Sequence, residues 1–143
     1  MTSKIKSSDV FVGYELTPLE LSFTRSDLVE YANASGDQNP IHQDEEFAKS
    51  VGLPDVISHG MLTMGRAIKL VTDWVGDPAA VIDYGVRMTR PVVVPNSPSG
   101  ATVAFTAKVV ELDDDGVARI ELSAICDGIT VLGQAKATVQ LAQ

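Results

Sequence analysis

The chain has 143 residues, of which 45% are hydrophobic and 21% charged, so we expect one folded domain over residues 1–143. The net charge of −8 argues against nucleic acid as the main partner, and the single cysteine, Cys126, excludes an internal disulfide. No stretch approaches the ~20 apolar residues of a membrane span. No apolar run follows the charged N-terminus, so we expect no signal peptide and a cytoplasmic location.

The first predicted helix begins after Thr24. Thr24 and Asp27 have the spacing of a capping box, and the helix ends before Gly36. One face of this helix is formed by Leu28, Tyr31 and Ala32. A second, shorter helix is predicted over residues 44–49, because its acidic first turn suits the helix dipole.

A long helix is predicted over residues 60–75. Gly76 and Pro78 end it, which is the usual order of helix-stopping residues. Its apolar positions recur at spacings of three and four: Met61, Met64, Ile68, Val71 and Val75. These methionines are typical of a helix core, although methionine also adapts well to an acyl chain.

Strands follow the long helix, because the hydrophobic period changes to two. A strand is predicted over residues 84–89, and three more are predicted over 102–109, 118–124 and 129–141, with tight turns at 114–116 and 127–128. We therefore predict an α+β fold in which an antiparallel sheet curls around one long central helix. The outer face and the edge strand of that sheet would remain open, and pairing with a second subunit commonly covers them.

The segment 36–42 is the strongest candidate for an active site. It places the carboxylate of Asp37 and the imidazole of His42 five residues apart on a stretch that Pro40 keeps from being regular helix. Taken singly, Asp37 is typical of a turn and His42 of a surface. Together they form a pair suited to general acid–base catalysis. No zinc-type ligand spacing and no dinucleotide or phosphate loop is present, so we expect no metal and no nucleotide cofactor.

The motif around this segment resembles a known family. Tyr31, residues 34–42 and Ala48 resemble the hydratase-2 motif of MaoC-like (R)-specific enoyl-thioester hydratases, which have the hot-dog fold. Ala34 stands where that pattern usually has glycine or a larger aliphatic residue. Segments 51–53, 59–65, 74–78 and 92–96 look similar to the B-subunit group of mycolic-acid-pathway (3R)-hydroxyacyl-ACP dehydratases. The resemblance thus covers essentially the whole chain.

This resemblance implies a hydro-lyase that interconverts (3R)-hydroxyacyl and trans-2-enoyl thioesters, within fatty-acid elongation. Asp37 and His42 would hold and activate the water, and the N–H of Gly60 would stabilise the thioester oxygen. No cofactor is implied beyond the carrier on the substrate, which is acyl carrier protein or coenzyme A. The implied assembly is a homodimer, or a heterodimer with a second hot-dog subunit.

Five further residues are candidates for substrate binding. Asn39 would tie the loop together, and Met61 follows Gly60 on the long helix. His59, just before that helix, could contact substrate, cap the helix or pack. Arg87 and Arg90 belong to the one stretch, residues 61–100, that is not acidic, and they could attract an anionic carrier. Two other functions stay open: a hot-dog thioesterase, and a subunit that is inactive without its partner.

Overall fold

The computed structural model describes residues 3–143 and contains one five-stranded antiparallel sheet. The strands follow the spatial order β1-β3-β4-β5-β2, and their bounds are β1 Leu19–Phe23, β2 Val81–Met88, β3 Ala101–Leu112, β4 Val117–Cys126 and β5 Ile129–Gln140. The helices are α1 Arg25–Ser35, α2 Glu45–Ser50, α3 Gly60–Ala67 and α4 Lys69–Val75. Short 3-10 turns occupy Ser7–Asp9, Pro40–His42 and Pro78–Ala80.

One face of the sheet packs on α3 and α4, which confirms the predicted α+β arrangement. The alternation in β3 and β4 is also confirmed. The residues that these two strands bury are Ala101, Val103, Phe105, Ala107, Val109, Ala118, Ile120, Leu122, Ala124 and Cys126. The turn after β4 is the expected tight hairpin, because Asp127 (φ 50°) and Gly128 (φ 74°) both adopt left-handed conformations.

Strand β1 is an addition to the four predicted strands. It pairs with β3 from Leu19 opposite Phe105 to Phe23 opposite Ala101. The outer face of the sheet is polar at its centre, where Lys108 and Lys136 flank Glu121 in register. That face is therefore suited to water without a covering subunit, whereas the outer edge of β2 has no neighbouring strand among residues 3–143.

The predicted long helix is present, but it is interrupted at Ile68. The backbone of Ile68 stays in the right-handed helical region, so α4 continues directly from α3. The Tyr84 hydroxyl donates a 2.7 Å hydrogen bond to the Met64 carbonyl, and the amide N–H of Ile68 reaches the same oxygen at 3.4 Å. Burial raises the pKa of Tyr84 to about 12, so this hydroxyl keeps its proton. The two donors share one acceptor at the interruption.

The buried face of α3 differs from the predicted stripe. Val71 and Val75 of α4 are buried as expected, but Met61 is 61% exposed. The residues that the two helices bury besides these valines are Thr63, Ala67 and Leu70. Small side chains at 63 and 67 let the start of the helix approach the sheet closely, whereas a methionine stripe would hold it away. The placement of Met61 on the buried face was therefore wrong.

The capping box at the start of α1 is confirmed. Thr24 accepts a hydrogen bond from the amide of Asp27 at 3.1 Å, and the Asp27 carboxylate accepts one from the amide of Thr24 at 2.9 Å. Arg66 of α3 lies 3.5 Å from the Asp27 carboxylate and donates to the Ser22 carbonyl at 2.8 Å. Although burial alone would raise the pKa of Asp27, the bonds from Thr24 and the charge of Arg66 lower it overall. These contacts fix α1 against the long helix.

Among the glycines, we expect substitution of Gly100 to lower the stability of the fold most. Gly100 has φ +58°, and a Cβ atom there would lie 1.9 Å from the Phe23 carbonyl oxygen, which belongs to the backbone and not to a flexible side chain. We expect Gly100→Ala to lower the free energy of unfolding by about 4 kcal/mol. Urea denaturation of the purified variant measures this loss.

Gly128→Ala is the matched control for that substitution. Gly128 has φ +74° with open space around the added Cβ, so it should lose only the left-handed conformational cost of about 1–2 kcal/mol. Equal losses in the two variants would contradict the predicted clash at Gly100.

None of the helices between residues 3 and 143 combines the length and apolar character that crossing a membrane requires.

Candidate active site

The candidate loop begins where α1 ends. Gly36 adopts φ 82° and turns the chain out of the helix. The Asp37 carboxylate accepts a hydrogen bond from the amide of Asn39 at 3.2 Å, and the Asn39 side chain accepts one from the amide of Ile41 at 3.2 Å. These two consecutive turns bring His42 back towards Asp37. The tying role predicted for Asn39 matches this geometry.

Asp37 and His42 face each other across a short gap. The Asp37 Oδ2 atom lies 3.9 Å from His42 Nε2, which is too long for a direct hydrogen bond. One oxygen atom placed ~2.8 Å from each would contact both. The Asp37 carboxylate is half exposed, whereas His42 is 6% exposed. The pair is therefore open to a small molecule from the Asp37 side.

The second ring nitrogen of His42 determines where the imidazole proton resides. His42 Nδ1 lies 2.7 Å from the carbonyl oxygen of Ile57. Because a carbonyl oxygen only accepts hydrogen bonds, Nδ1 carries the proton in the neutral ring. Nε2, the ring atom 3.9 Å from the Asp37 carboxylate, then carries the lone pair. In this tautomer His42 is equipped to act as a base.

His59 lies directly beneath this pair. Its Nε2 atom is 3.1 Å from the backbone carbonyl oxygen of Asp37, and its ring stacks on His42 with centroids 3.8 Å apart and planes 23° apart. Tyr31 contacts it edge-on at 4.7 Å between centroids. His59 is 1% exposed. Burial lowers its pKa below the usual range, and a charge on His42 would lower it further.

The start of α3 completes the polar end of the site. Gly60 is the first residue of α3, so its N–H has no acceptor within the helix. Gly60, His42 and Thr63 line one cavity of about 370 Å³. The apolar part of that cavity is lined by Met88, Val92, Val131 and Leu132. The cavity thus combines a proton-transfer group, a helix N-terminus and an apolar wall.

The two arginines predicted to bind substrate differ in their relation to this cavity. Arg90 lines it, and Arg87 lies three residues earlier on β2; both are exposed. Neither forms an ion pair within residues 3–143. The other two basic residues of the same stretch are occupied, since Arg66 pairs with Asp27 and Lys69 pairs with Asp73.

Met88 is a cavity residue that sequence reasoning missed. A Cβ atom added to Gly60 would lie 3.1 Å from the Met88 sulfur, so this side chain lies against the start of α3. Its position at the end of β2 depends on sheet register, which the local sequence pattern does not encode. Met61, which was predicted to contact substrate, is exposed next to Gly60.

The arrangement suits proton transfer better than metal binding. Ligand atoms of Asp37, His42 and His59 lie within 4.8 Å of one another. However, the two imidazoles are stacked, so their lone pairs lie in nearly parallel planes and do not converge on one ion. The Nε2 atom of His59 is also occupied by the Asp37 carbonyl.

Residues 12–129 match the family described as the MaoC like domain. Among curated proteins, the peroxisomal enoyl-CoA hydratase 2 of Arabidopsis thaliana is 55% identical over 49 residues, which cover 33% of this chain and 16% of that protein. The 3-hydroxyacyl-thioester dehydratase X of Mycobacterium tuberculosis is 36% identical over 75 residues, covering 52% and 26%. The chain therefore spans about a quarter or less of the length of these relatives.

Solved structures share the fold over nearly the whole chain. A MaoC-like dehydratase superimposes with a TM-score of 0.94 at 40% identity, covering 99% of this chain and 44% of that one. The ChsH1-ChsH2 complex of Mycobacterium tuberculosis superimposes with a TM-score of 0.75 at 25% identity, covering 93% and 98%. The open sheet packed on a long helix is the expected hot-dog fold. This chain belongs to the MaoC-like dehydratase family.

Proposed function

We propose that this chain catalyses the reversible dehydration of (3R)-hydroxyacyl thioesters to trans-2-enoyl thioesters. The observation that carries the proposal is the 3.9 Å gap between the Asp37 carboxylate and Nε2 of His42, the residue of the pair that lines a partly apolar cavity. The two relatives named above support it, since one is an enoyl-CoA hydratase and the other a 3-hydroxyacyl-thioester dehydratase.

The geometry supports a dehydration path in which His42 takes up one proton and returns it to the leaving oxygen. The neutral His42 Nε2 removes the proton on the carbon next to the thioester and becomes an imidazolium. The C–O bond to the β-hydroxyl then breaks as the double bond forms, and the imidazolium returns the proton to the leaving oxygen, which departs as water. The Asp37 carboxylate accepts a hydrogen bond from that oxygen and stabilises the positive imidazole. Hydration is the same path in reverse.

The start of α3 would stabilise the thioester oxygen. Negative charge develops on the thioester oxygen when the neighbouring proton is removed. The unpaired N–H of Gly60 and the positive end of the helix dipole would stabilise that charge. Glycine permits close approach of the thioester to the backbone here. The apolar wall of the cavity would take the acyl chain, with Met61 as a further contact.

The carrier and the partner subunit belong to the same proposal. Arg90, which lines the cavity, and Arg87, which is exposed on β2, would bind the phosphates of coenzyme A or of the phosphopantetheine on acyl carrier protein. The open edge of β2 would pair with a second hot-dog subunit, either another copy or a different chain. The similar ChsH1-ChsH2 structure is a complex of two named chains. We place this activity in fatty-acid elongation in the cytoplasm.

An absorbance assay on the purified chain tests the function. With crotonyl-CoA, we expect the enoyl-thioester absorbance to fall without release of free thiol. Longer trans-2-enoyl thioesters on coenzyme A and on acyl carrier protein should then define the preferred carrier and length.

Release of thiol in place of hydration would instead identify a thioesterase. A chain that is inactive alone should become active with a second hot-dog subunit. Inactivity on every carrier, with and without such a subunit, would overturn the proposal.

A further inference from the structure

We propose that His59 is a positioning residue of this site, which holds the Asp37 backbone with one ring atom and supports the His42 imidazole with its ring face. This inference rests on the proposed function. His59 lies 22 residues from Asp37 in sequence, yet it contacts both members of the pair. Of the roles that its sequence position allows, its 1% exposure favours packing over direct contact with a substrate.

The hydrogen bond to the loop explains how the carboxylate is held. The acceptor is the backbone carbonyl of Asp37, so His59 Nε2 carries the proton and donates it. The other hydrogen bonds of Asp37 are local, to Ser35 and within the turn at Asn39, while the far end of the loop is held by Ile57, whose amide donates to the Ile41 carbonyl at 3.1 Å. The His59 bond is therefore the contact that ties the exposed Asp37 to the interior of the domain.

The stacked ring explains how the imidazole is held. His42 is fixed in its own plane by the Ile57 carbonyl, and the His59 ring lies 3.8 Å away on one face. Tyr31 braces the His59 ring edge-on, so the support itself has a fixed orientation. Burial lowers the pKa of His59 and so favours its neutral form, which does not repel the imidazolium that would form on His42 during the reaction.

The backbone of His59 extends the same link to the helix. Its carbonyl accepts hydrogen bonds from the amides of Leu62 at 3.1 Å and Thr63 at 3.2 Å, which close the first turn of α3. Gly60 follows directly. His59 therefore contacts or adjoins all three groups: the carboxylate, the imidazole and the N–H proposed to bind the thioester oxygen. Catalysis requires such groups to be held in a fixed relative geometry.

Three substitutions at this position separate the contacts. His59→Ala removes both the hydrogen bond to the Asp37 carbonyl and the stacking on His42. We expect kcat to fall by about 10²-fold while KM changes less than threefold. His59→Phe keeps a ring under His42 without the donor, and His59→Gln keeps a donor without the ring. Each should recover part of the loss, giving a kcat between those of His59→Ala and the native chain. All are measured as trans-2-enoyl-CoA hydration.

Val109→Ala is the control for lost packing. Val109 is fully buried in β3, outside the site, and its truncation should lower the unfolding temperature with kcat within twofold of the native value. A kcat for His59→Ala within twofold of the native value would overturn the inference. So would equal losses in all three His59 variants that follow their unfolding temperatures. Inactivity of the native chain would instead bear on the proposed function itself.

Discussion

Replacing Asp37 with asparagine should lower turnover by about 10²–10⁴-fold and leave the fold intact. The amide keeps the size of the carboxylate and an oxygen that can still accept the hydrogen bond from the amide of Asn39, so the loop retains its turn. It loses the negative charge that stabilises the His42 imidazolium. The measurement is kcat for enoyl-thioester hydration together with the unfolding temperature.

His42→Asn is the companion substitution. The asparagine amide can replace His42 Nδ1 as donor to the Ile57 carbonyl, but it offers no base at the position of Nε2. We expect a loss of the same order as for Asp37→Asn. The double variant should lose little more than the worse single variant, because the two groups act on one proton path.

Asp44→Asn is the matched control for the charge change. Asp44 caps α2 by accepting from the amide of Phe47 at 3.0 Å, and asparagine is a comparable cap. Its kcat should stay within twofold of the native value. Strictly multiplicative losses at Asp37 and His42, or activity that survives either change, would contradict the shared proton path.

The turns of the candidate loop were predictable because they are local. The turns at Asp37 and Asn39 and the left-handed Gly36 depend on residues that are neighbours in sequence. The capping box at Thr24 is local for the same reason. Alternation identified the buried faces of β3 and β4 because a half-buried strand has a period of two.

The features that escaped prediction are set by distant contacts. Met61 fits the helical period, yet α3 turns the small residues Thr63 and Ala67 towards the sheet, because packing density rather than hydrophobicity decides which face approaches closest. The interruption at Ile68 involves the Tyr84 hydroxyl from β2. These contacts join parts of the chain that no short sequence window contains.

His59 shows the same limit at the candidate active site. Its sequence position, just before a glycine that opens a helix, is compatible with capping, packing or substrate contact. The structure gives it no side-chain capping bond and places its ring between Tyr31 and His42. The signal that could have pointed to this role is that the chain has only two histidines.

Gly60→Pro should lower turnover by about 10²–10³-fold, because it removes the N–H proposed to bind the thioester oxygen. The backbone tolerates proline at this position. Proline is favoured as the first residue of a helix, where the missing N–H breaks no helical hydrogen bond. The preceding residue, His59, already has φ −58° and ψ 131°, within the conformations that a following proline permits.

Gly60→Ala is the matched control, because it adds a Cβ at the same position but keeps the N–H. That Cβ would lie 3.1 Å from the Met88 sulfur, the end of a flexible side chain that can shift by a few tenths of an ångström. We therefore expect Gly60→Ala to lose less than tenfold in kcat. If Gly60→Pro were within threefold of Gly60→Ala, the thioester oxygen would have to be stabilised elsewhere. A large difference at equal unfolding temperature would assign the developing charge to the start of α3.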